Sequence, residues 1–283
     1  MSILPNDAPI GVFDSGVGGL TVARRVLEAL PRERIVYVAD QAHVPYGGRD
    51  LAEVRSFACG ISTALFDYGC KAVVMACNIS SAVALDSVRE LHPEAVILGV
   101  IAPGACRASH ATKNGRIGVL ATAGTVQSGA YSRTLRALDS RFVVKEVACP
   151  EFVPLVEAGE EGSAAALCAA ERYLGEIREI GADTVVLGCT HYPFLLPALR
   201  SIWPDPVYVD PAEQASRELA ELLAAASLSA QNSNAHSPHL LTTTGDSDGF
   251  RRHLQRFLPE AATASEVRAV GWCADRLLLS RPH

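Results

Sequence analysis

The chain is poor in several features that would assign it to a class directly. It has only three lysines, Lys71, Lys113 and Lys145, and none stands in a context that would hold a Schiff base, so pyridoxal phosphate is not suggested. There is no excess of positive charge: the formal net charge is −6, which argues against nucleic acid or an anionic membrane as partner. A small anionic ligand stays admissible, because a pocket needs only local donors. No apolar run approaches the length of a membrane span; the longest lies around Ala95 to Ile101. Met1 to Ile10 shows no basic region followed by an apolar run, so a soluble cytoplasmic protein is expected. Paired Cys-x2-Cys spacing is missing, which speaks against structural zinc. The glycine-rich stretch Asp14-Ser-Gly-Val-Gly-Gly19 lacks both the G-x-G-x-x-G spacing and a following Lys-Ser/Thr, so a nucleotide loop is disfavoured.

What is present is core. Of 283 residues, 49% are apolar, enough for one large or two modest α/β domains. Short apolar runs rich in β-branched residues read as buried strands at 10–13, 35–38, 72–76, 96–100, 117–121, 143–147, 184–187, 207–209 and 240–243. Helical patterns lie between them at 20–30, 50–68, 81–91, 163–180, 212–226 and 249–258. Continuous apolar strands alternating with helices predict parallel sheets covered on both faces. The chain also resembles itself. Ile10-Gly-Val-Phe-Asp-Ser-Gly is echoed by Ile117-Gly-Val-Leu-Ala-Thr-Ala, and Ala72-Val-Val-Met-Ala-Cys77-Asn by Thr184-Val-Val-Leu-Gly-Cys189-Thr, at offsets of 107 and 112 residues. The fold class expected is α/β, with two pseudo-symmetric parallel-sheet domains facing each other across a site. Residues 1–100 plus 211–283 form the first and 101–210 the second, with Ala102-Pro-Gly-Ala as the crossover. Ser227 to His239, rich in Ser, Asn, Ala and His, reads as a flexible surface loop that catalysis can do without.

In parallel α/β sheets, ligands bind beyond the carboxyl ends of the strands. Asp14, Ser15, Cys77, Asn78, Cys189, Thr190 and His191 all follow predicted strands directly. A thiol at a helix N-terminus can ionise more readily, and the free N–H groups beside it can hold a carboxylate. Two halves face to face would put one thiol on each side of a bound carbon. That suits inversion of a stereocentre, in which one group removes a proton and the opposite one delivers another.

Eight cysteines allow plainer readings. Free Cys is commonly a packed core residue. Packing is the expectation for Cys59, Cys70, Cys106, Cys149, Cys168 and Cys273, whereas matched placement in both halves singles out Cys77 and Cys189. His191 could be a hydrogen-bonded core histidine, Glu157 a helix-surface carboxylate, and Tyr46 an aromatic rim residue. The competing functions are a two-thiol enzyme acting on aspartate or a related substrate, a non-catalytic regulator that binds an acidic amino acid or a protein partner, and a redox protein cycling a Cys77–Cys189 disulfide.

At these residues the chain resembles the glutamate racemases of the aspartate/glutamate racemase superfamily. The resemblance is carried by Ile10-Gly-Val-Phe-Asp-Ser-Gly-Val-Gly-Gly-Leu-Thr-Val22, Tyr37-Val-Ala-Asp, Pro45-Tyr-Gly47, Ala76-Cys-Asn78, Cys149-Pro-Glu-Phe-Val-Pro-Leu-Val-Glu157, Leu187-Gly-Cys-Thr-His-Tyr-Pro-Phe194 and Thr242-Thr-Thr-Gly-Asp246. It implies Cys77 and Cys189 as catalytic thiols, with Cys77 acting on the D-enantiomer and Cys189 on the L-enantiomer. It implies Asp14, His191 and Glu157 as assisting groups. Ser15, Pro45, Tyr46, Gly47, Asn78, Thr122, Thr125 and Thr190 would contact substrate, as would Asp14, His191 and the backbone of Ile79. It further implies no cofactor and no metal, glutamate as the small-molecule substrate, and D-glutamate supply for peptidoglycan and so for cell wall and cell shape. Homodimerisation is left open. One departure stands out: family members often read Cys-Asn-Thr where this chain has Cys77-Asn78-Ile79. If that hydroxyl binds substrate, Ile79→Thr gains a hydrogen bond worth about 0.5–1.5 kcal/mol.

Overall fold

A computed structural model describes residues 6–231, 238–263 and 265–280. The first segment alternates strand and helix: β1 (Ile10–Asp14), α1 (Leu20–Ala29), β2 (Ile35–Ala39), α2 (Leu51–Tyr68), β3 (Ala72–Met75), α3 (Asn78–Leu91) and β4 (Val96–Gly99). The second continues with α4 (Ile101–Ala111), β5 (Arg116–Ala121), α5 (Ala123–Ser128), α6 (Ala130–Leu138), β6 (Val143–Ala148), α7 (Phe152–Glu157), α8 (Ala164–Arg178), β7 (Thr184–Gly188), α9 (Leu196–Ile202) and β8 (Val207–Val209). Then follow α10 (Pro211–Ala225), β9 (His239–Thr243), α11 (Ser247–Phe257), α12 (Pro259–Ala262), β10 (Ser265–Ala269) and a hairpin of β11 (Gly271–Cys273) and β12 (Arg276–Leu278). No helix among the described residues is long and apolar enough to cross a membrane.

The strands form two parallel sheets, ordered β10-β9-β2-β1-β3-β4 and β6-β5-β7-β8. The 2-1-3-4 order of the first recurs in the second, so β1 corresponds to β5 and β3 to β7, the strands whose sequences repeat. The shared glycine has a packing reason in both halves. At Gly11 a Cβ would press on Leu65 of α2, and at Gly118 it would overlap Ile177 of α8. Each glycine lets the covering helix come close to the central strand. Strands β1, β2, β3 and β7 are buried throughout, as their unbroken apolar runs require. The largest core cluster runs through both halves, from Ile10 and Tyr37 to Leu187 and Tyr192.

Several local expectations change. Ala102-Pro-Gly-Ala is not a crossover loop but the first turn of α4. Proline is tolerated there because first-turn N–H groups have no partner within the helix, and Gly104 lets Pro211 and Tyr131 pack against α4. Helix α3 starts at Asn78 rather than Ser81, since Cys77 takes the extended backbone of an N-cap, with φ −68° and ψ 124°. Helices α5, α6, α7, α9 and α12, strand β10 and the hairpin lie outside the stretches that the sequence pattern marks. Within Ser227 to His239, residues 232–237 lie outside the described residues, but both ends are built into the fold. Leu228 packs on the core, Ala230 donates its N–H to Glu33 Oε1 at 2.9 Å, and His239 opens β9. Glu33 is in turn paired with the buried Lys71 at 2.6 Å, so the first part of the stretch is tied to the first sheet's packing. Cys168 and Cys273 are exposed rather than packed.

Candidate active site

The carboxyl ends of β1, β3, β5 and β7 converge where the two sheets face each other. Cys77 ends the turn after β3 and Cys189 follows β7; both are free thiols, 7% and 8% exposed. Cys189 lies near enough to Cys77 to act on its thiol. The repeat therefore becomes a three-dimensional match: one thiol from the same place in each sheet.

The first thiol sits in a closed setting. Cys77 Sγ points to Ser15 Oγ at 3.9 Å, and its side chain packs with Tyr46, Val54 and Ile79. Burial, then the neighbouring Asp14, pushes the Cys77 thiol up to about 12, against the N–H and hydroxyl of Ser80. Ser80, in the first turn of α3, was not legible as a site residue. Asp14 is itself buried, and that burial raises its carboxyl above the ordinary range, with His191 and the N–H groups of Gly16 and Gly19 pulling the other way. Its Oδ2 accepts from Gly16 N at 3.1 Å, while Oδ1 has no hydrogen-bond partner among the described residues. An unpaired buried carboxylate oxygen is costly to leave so. It is free to accept from a cationic or protic group.

The second thiol has an imidazole instead. Cys189 Sγ lies 3.8 Å from His191 Nδ1, and His191 Nε2 lies 3.1 Å from Glu157 Oε1 at the end of α7. Burial acts to lower the His191 pKa, but its contacts with Cys189 and Glu157 prevail and raise it to about 10. The same contact with His191 holds the Glu157 carboxyl below its ordinary value, burial opposing. Glu157 is 45% exposed, so the line from Cys189 through His191 ends at solvent. Phe257 of α11 places its ring edge-on to His191 at 6.0 Å, and Arg256 ties α11 to Val156 O and Glu161, each at 2.6 Å. Glu157 is thus more than a helix-surface carboxylate.

The remaining residues are also gathered here. Asn78 Oδ1 accepts from Tyr131 OH, across the two halves, at 2.8 Å, so its NH2 group is turned the other way. Thr122 and Thr125 lie 3.1 Å apart through their hydroxyls, Thr122 half-buried and Thr125 fully buried. Tyr46 is buried, Gly47 abuts Thr122, and Pro45 stands exposed on the rim after a cis peptide bond. Ile79 contributes packing through its side chain: it fills the cluster around Cys77 and reaches Gly124 of α5. Among the described residues no group of three His, Cys, Asp or Glu could hold a metal ion.

The glycine stretch acts through space rather than by cradling phosphate. A Cβ at Gly18 would overlap Thr190 Oγ1 and His191 Nδ1, and one at Gly19 would overlap Asp14. Thr21 Oγ1 donates to Thr190 O at 3.0 Å. On the opposite side a Cβ at Gly124 would overlap Ile79 Cδ1. The contacts are reciprocal. In each half a glycine after the central strand seats the residue two positions beyond the other half's thiol.

Known proteins resemble this chain over nearly its whole length. Residues 10–219 match the model of the family described as Asp/Glu/Hydantoin racemase. The chain is 40% identical to a glutamate racemase of Corynebacterium kroppenstedtii, covering 93% of this chain and 98% of that one. A glutamate racemase isoform from Bacillus anthracis superposes with a TM-score of 0.88 at 35% identity, over 98% of this chain and 100% of that one. A glutamate racemase from Francisella tularensis, solved in complex with D-glutamate, gives a TM-score of 0.87 at 31% identity, over 95% and 99% of the two chains.

Proposed function

Because the chain belongs to the Asp/Glu/Hydantoin racemase family, we propose that it is a glutamate racemase that interconverts L- and D-glutamate with Cys77 and Cys189 as opposed bases and acids. The observation that carries this reading is the matched pair of thiols at the ends of β3 and β7 in two sheets of the same strand order. The division into units 1–100 with 211–283, and 101–210, is supported by which strands join which sheet.

The α-carbon of glutamate lies between the two sulfurs. The substrate ammonium meets Asp14 Oδ1, and its carboxylates meet the first-turn N–H groups of α3, the Asn78 amide and the Thr122 and Thr190 hydroxyls. In the L-to-D direction the Cys189 thiolate takes the α-proton, and the electron pair of that C–H bond passes into the carbanion. Cys77 S–H then donates its proton to the opposite face. Its raised pKa makes the neutral thiol the resting form, ready for that role. His191, held protonated between Cys189 and Glu157, stabilises negative charge on Cys189 and links it to solvent through Glu157. After turnover the two sulfurs have exchanged protonation states, and the D-to-L direction runs the same steps backwards. The product would be D-glutamate for peptidoglycan, made in the cytoplasm. The test is circular dichroism of L- and D-glutamate incubated with purified protein without added cofactor. Signal from either enantiomer should decay to zero; a steady signal from both sinks the reading.

A further inference from the structure

Asp40, at the turn after β2, is fully buried, and no step above uses it. Its carboxylate collects partners from three separate stretches of chain. Oδ2 accepts from Tyr46 OH at 2.6 Å and meets His43 Nδ1 at 2.8 Å. Oδ1 accepts from Thr244 Oγ1 at 2.9 Å and from Trp272 Nε1 at 2.8 Å. Tyr46 belongs to the loop that abuts Cys77, Thr244 follows β9, and Trp272 lies in the β11–β12 hairpin.

The hairpin is seated firmly enough to act as a fixed point. Where Gly60 of α2 would carry a Cβ, the Trp272 ring and the Asp275 carbonyl stand at 2.9 and 2.8 Å. Leu277 is buried in the same face. His43 stacks on Phe57 at 3.9 Å and meets the Trp272 ring edge-on at 5.2 Å. Phe57 also lies 5.7 Å from Tyr46. A carboxylate with both oxygens doubly engaged keeps a single orientation. Removing the indole N–H leaves Oδ1 with Thr244 alone and lets the group turn, and Tyr46 turns with it.

We propose that Trp272 is a positioning residue: through Asp40 it fixes where Tyr46, and with it Gly47, stands against Cys77 and against Thr122 of the second half. The kinetic part rests on the glutamate racemase reading; the structural part does not.

Trp272→Phe keeps a ring on Gly60 and Phe57 but loses the donor. For the loss of one hydrogen bond, KM for both enantiomers should rise roughly 3- to 10-fold with kcat within about twofold, because the thiols keep their places. Tyr46→Phe removes the other donor on Asp40. Since both act through one carboxylate, the double variant should fall short of the combined single effects, in log KM and in Tm. Trp203→Phe, in the second half against Arg178, is the control and should leave KM unchanged. Additive losses, an unchanged KM in Trp272→Phe, or a fall confined to kcat would overturn the proposal. If the unaltered protein does not turn over glutamate, the functional reading falls, and the Tm cycle alone decides: non-additivity keeps the Asp40 link and additivity removes it.

Discussion

Cys77 and Cys189 stand at equivalent ends of β3 and β7, yet their surroundings have diverged. Around Cys77 the polar groups are short and enclosed, Ser15, Ser80 and a buried Asp14, and two residues on stands Ile79. Around Cys189 an imidazole occupies that same position, backed by a carboxylate open to water. Cys77 is the N-cap of a helix of 14 residues; Cys189 leads into a short 3₁₀ turn at Tyr192–Leu195 before α9. The backbone scaffold puts the two sulfurs at equivalent positions, while the side chains surround each with different polar groups. One fold position therefore serves two unlike acid–base environments.

The sharpest way to break the comparison is to remove each sulfur in turn. Cys77→Ser and Cys189→Ser should each lower racemisation by at least about 10³-fold, since a hydroxyl is too weak an acid to supply the needed anion. With a glutamate analogue bearing a β leaving group, elimination needs one base only. The two variants should then prefer opposite enantiomers, Cys189→Ser acting on the D-form and Cys77→Ser on the L-form. Chiral chromatography of the remaining analogue reads this out, and a shared preference would falsify the opposed arrangement.

The two glycine contacts provide the next test. Gly18→Ala drives a methyl into Thr190 and His191, both held by other contacts, and should cost about 1–3 kcal/mol as overpacking, with activity falling about 100-fold as His191 shifts. Gly124→Ala meets the movable tip of Ile79 and should cost less in both measures. Urea titrations and initial rates compare them; equal losses would mean that the seams are equivalent after all.

A pH series separates the sides through stability. His191 has a folded pKa of about 10 against an ordinary 6.5. Its protonated form therefore contributes stability fully below about 6.5, and that contribution is lost as pH rises through about 10. Tm should decline across this window, and His191→Asn should flatten the decline. A slope unchanged by the substitution would place the titrating group elsewhere.

The smallest effect belongs to Ile79. Ile79→Val removes one buried methylene against Gly124 and should destabilise by about 0.5–1.5 kcal/mol with turnover nearly intact. Ile79→Thr sets the same loss, plus a buried hydroxyl, against any hydrogen bond gained with substrate. Isothermal titration with glutamate beside a urea curve resolves the two contributions.

Much of this molecule was readable in one dimension, because continuous apolar strands and the residues just after them are local signals. Asp14, Cys77, Cys189 and His191 announce themselves by following such runs. Glu157 and Tyr46 needed the family resemblance, since their partners His191 and Asp40 lie on other elements. Proline and glycine in α4 masked a helix whose first turn tolerates both. Short helices such as α5 and α7, and the hairpin at 271–278, carry too few residues for a period to show. Hidden most completely were contacts made by having no side chain: nothing near Gly18 or Gly124 in sequence points to Thr190 or Ile79. The Trp272–Asp40 bond, spanning 232 residues, is equally silent.

The reciprocal glycine seats are the kind of contact two identical subunits make across a two-fold axis, where whatever one side offers the other must offer too. In a pair of separate, identical chains an imidazole beside one thiol would appear beside both, and every change at the seam would be made twice. Here both sides of the seam are written in one chain at separate positions. A histidine can stand at 191 while isoleucine stands at 79, and neither choice is imposed on the other. Covalent continuity thus frees the two sides to be altered one at a time, which no isologous dimer of this geometry could do.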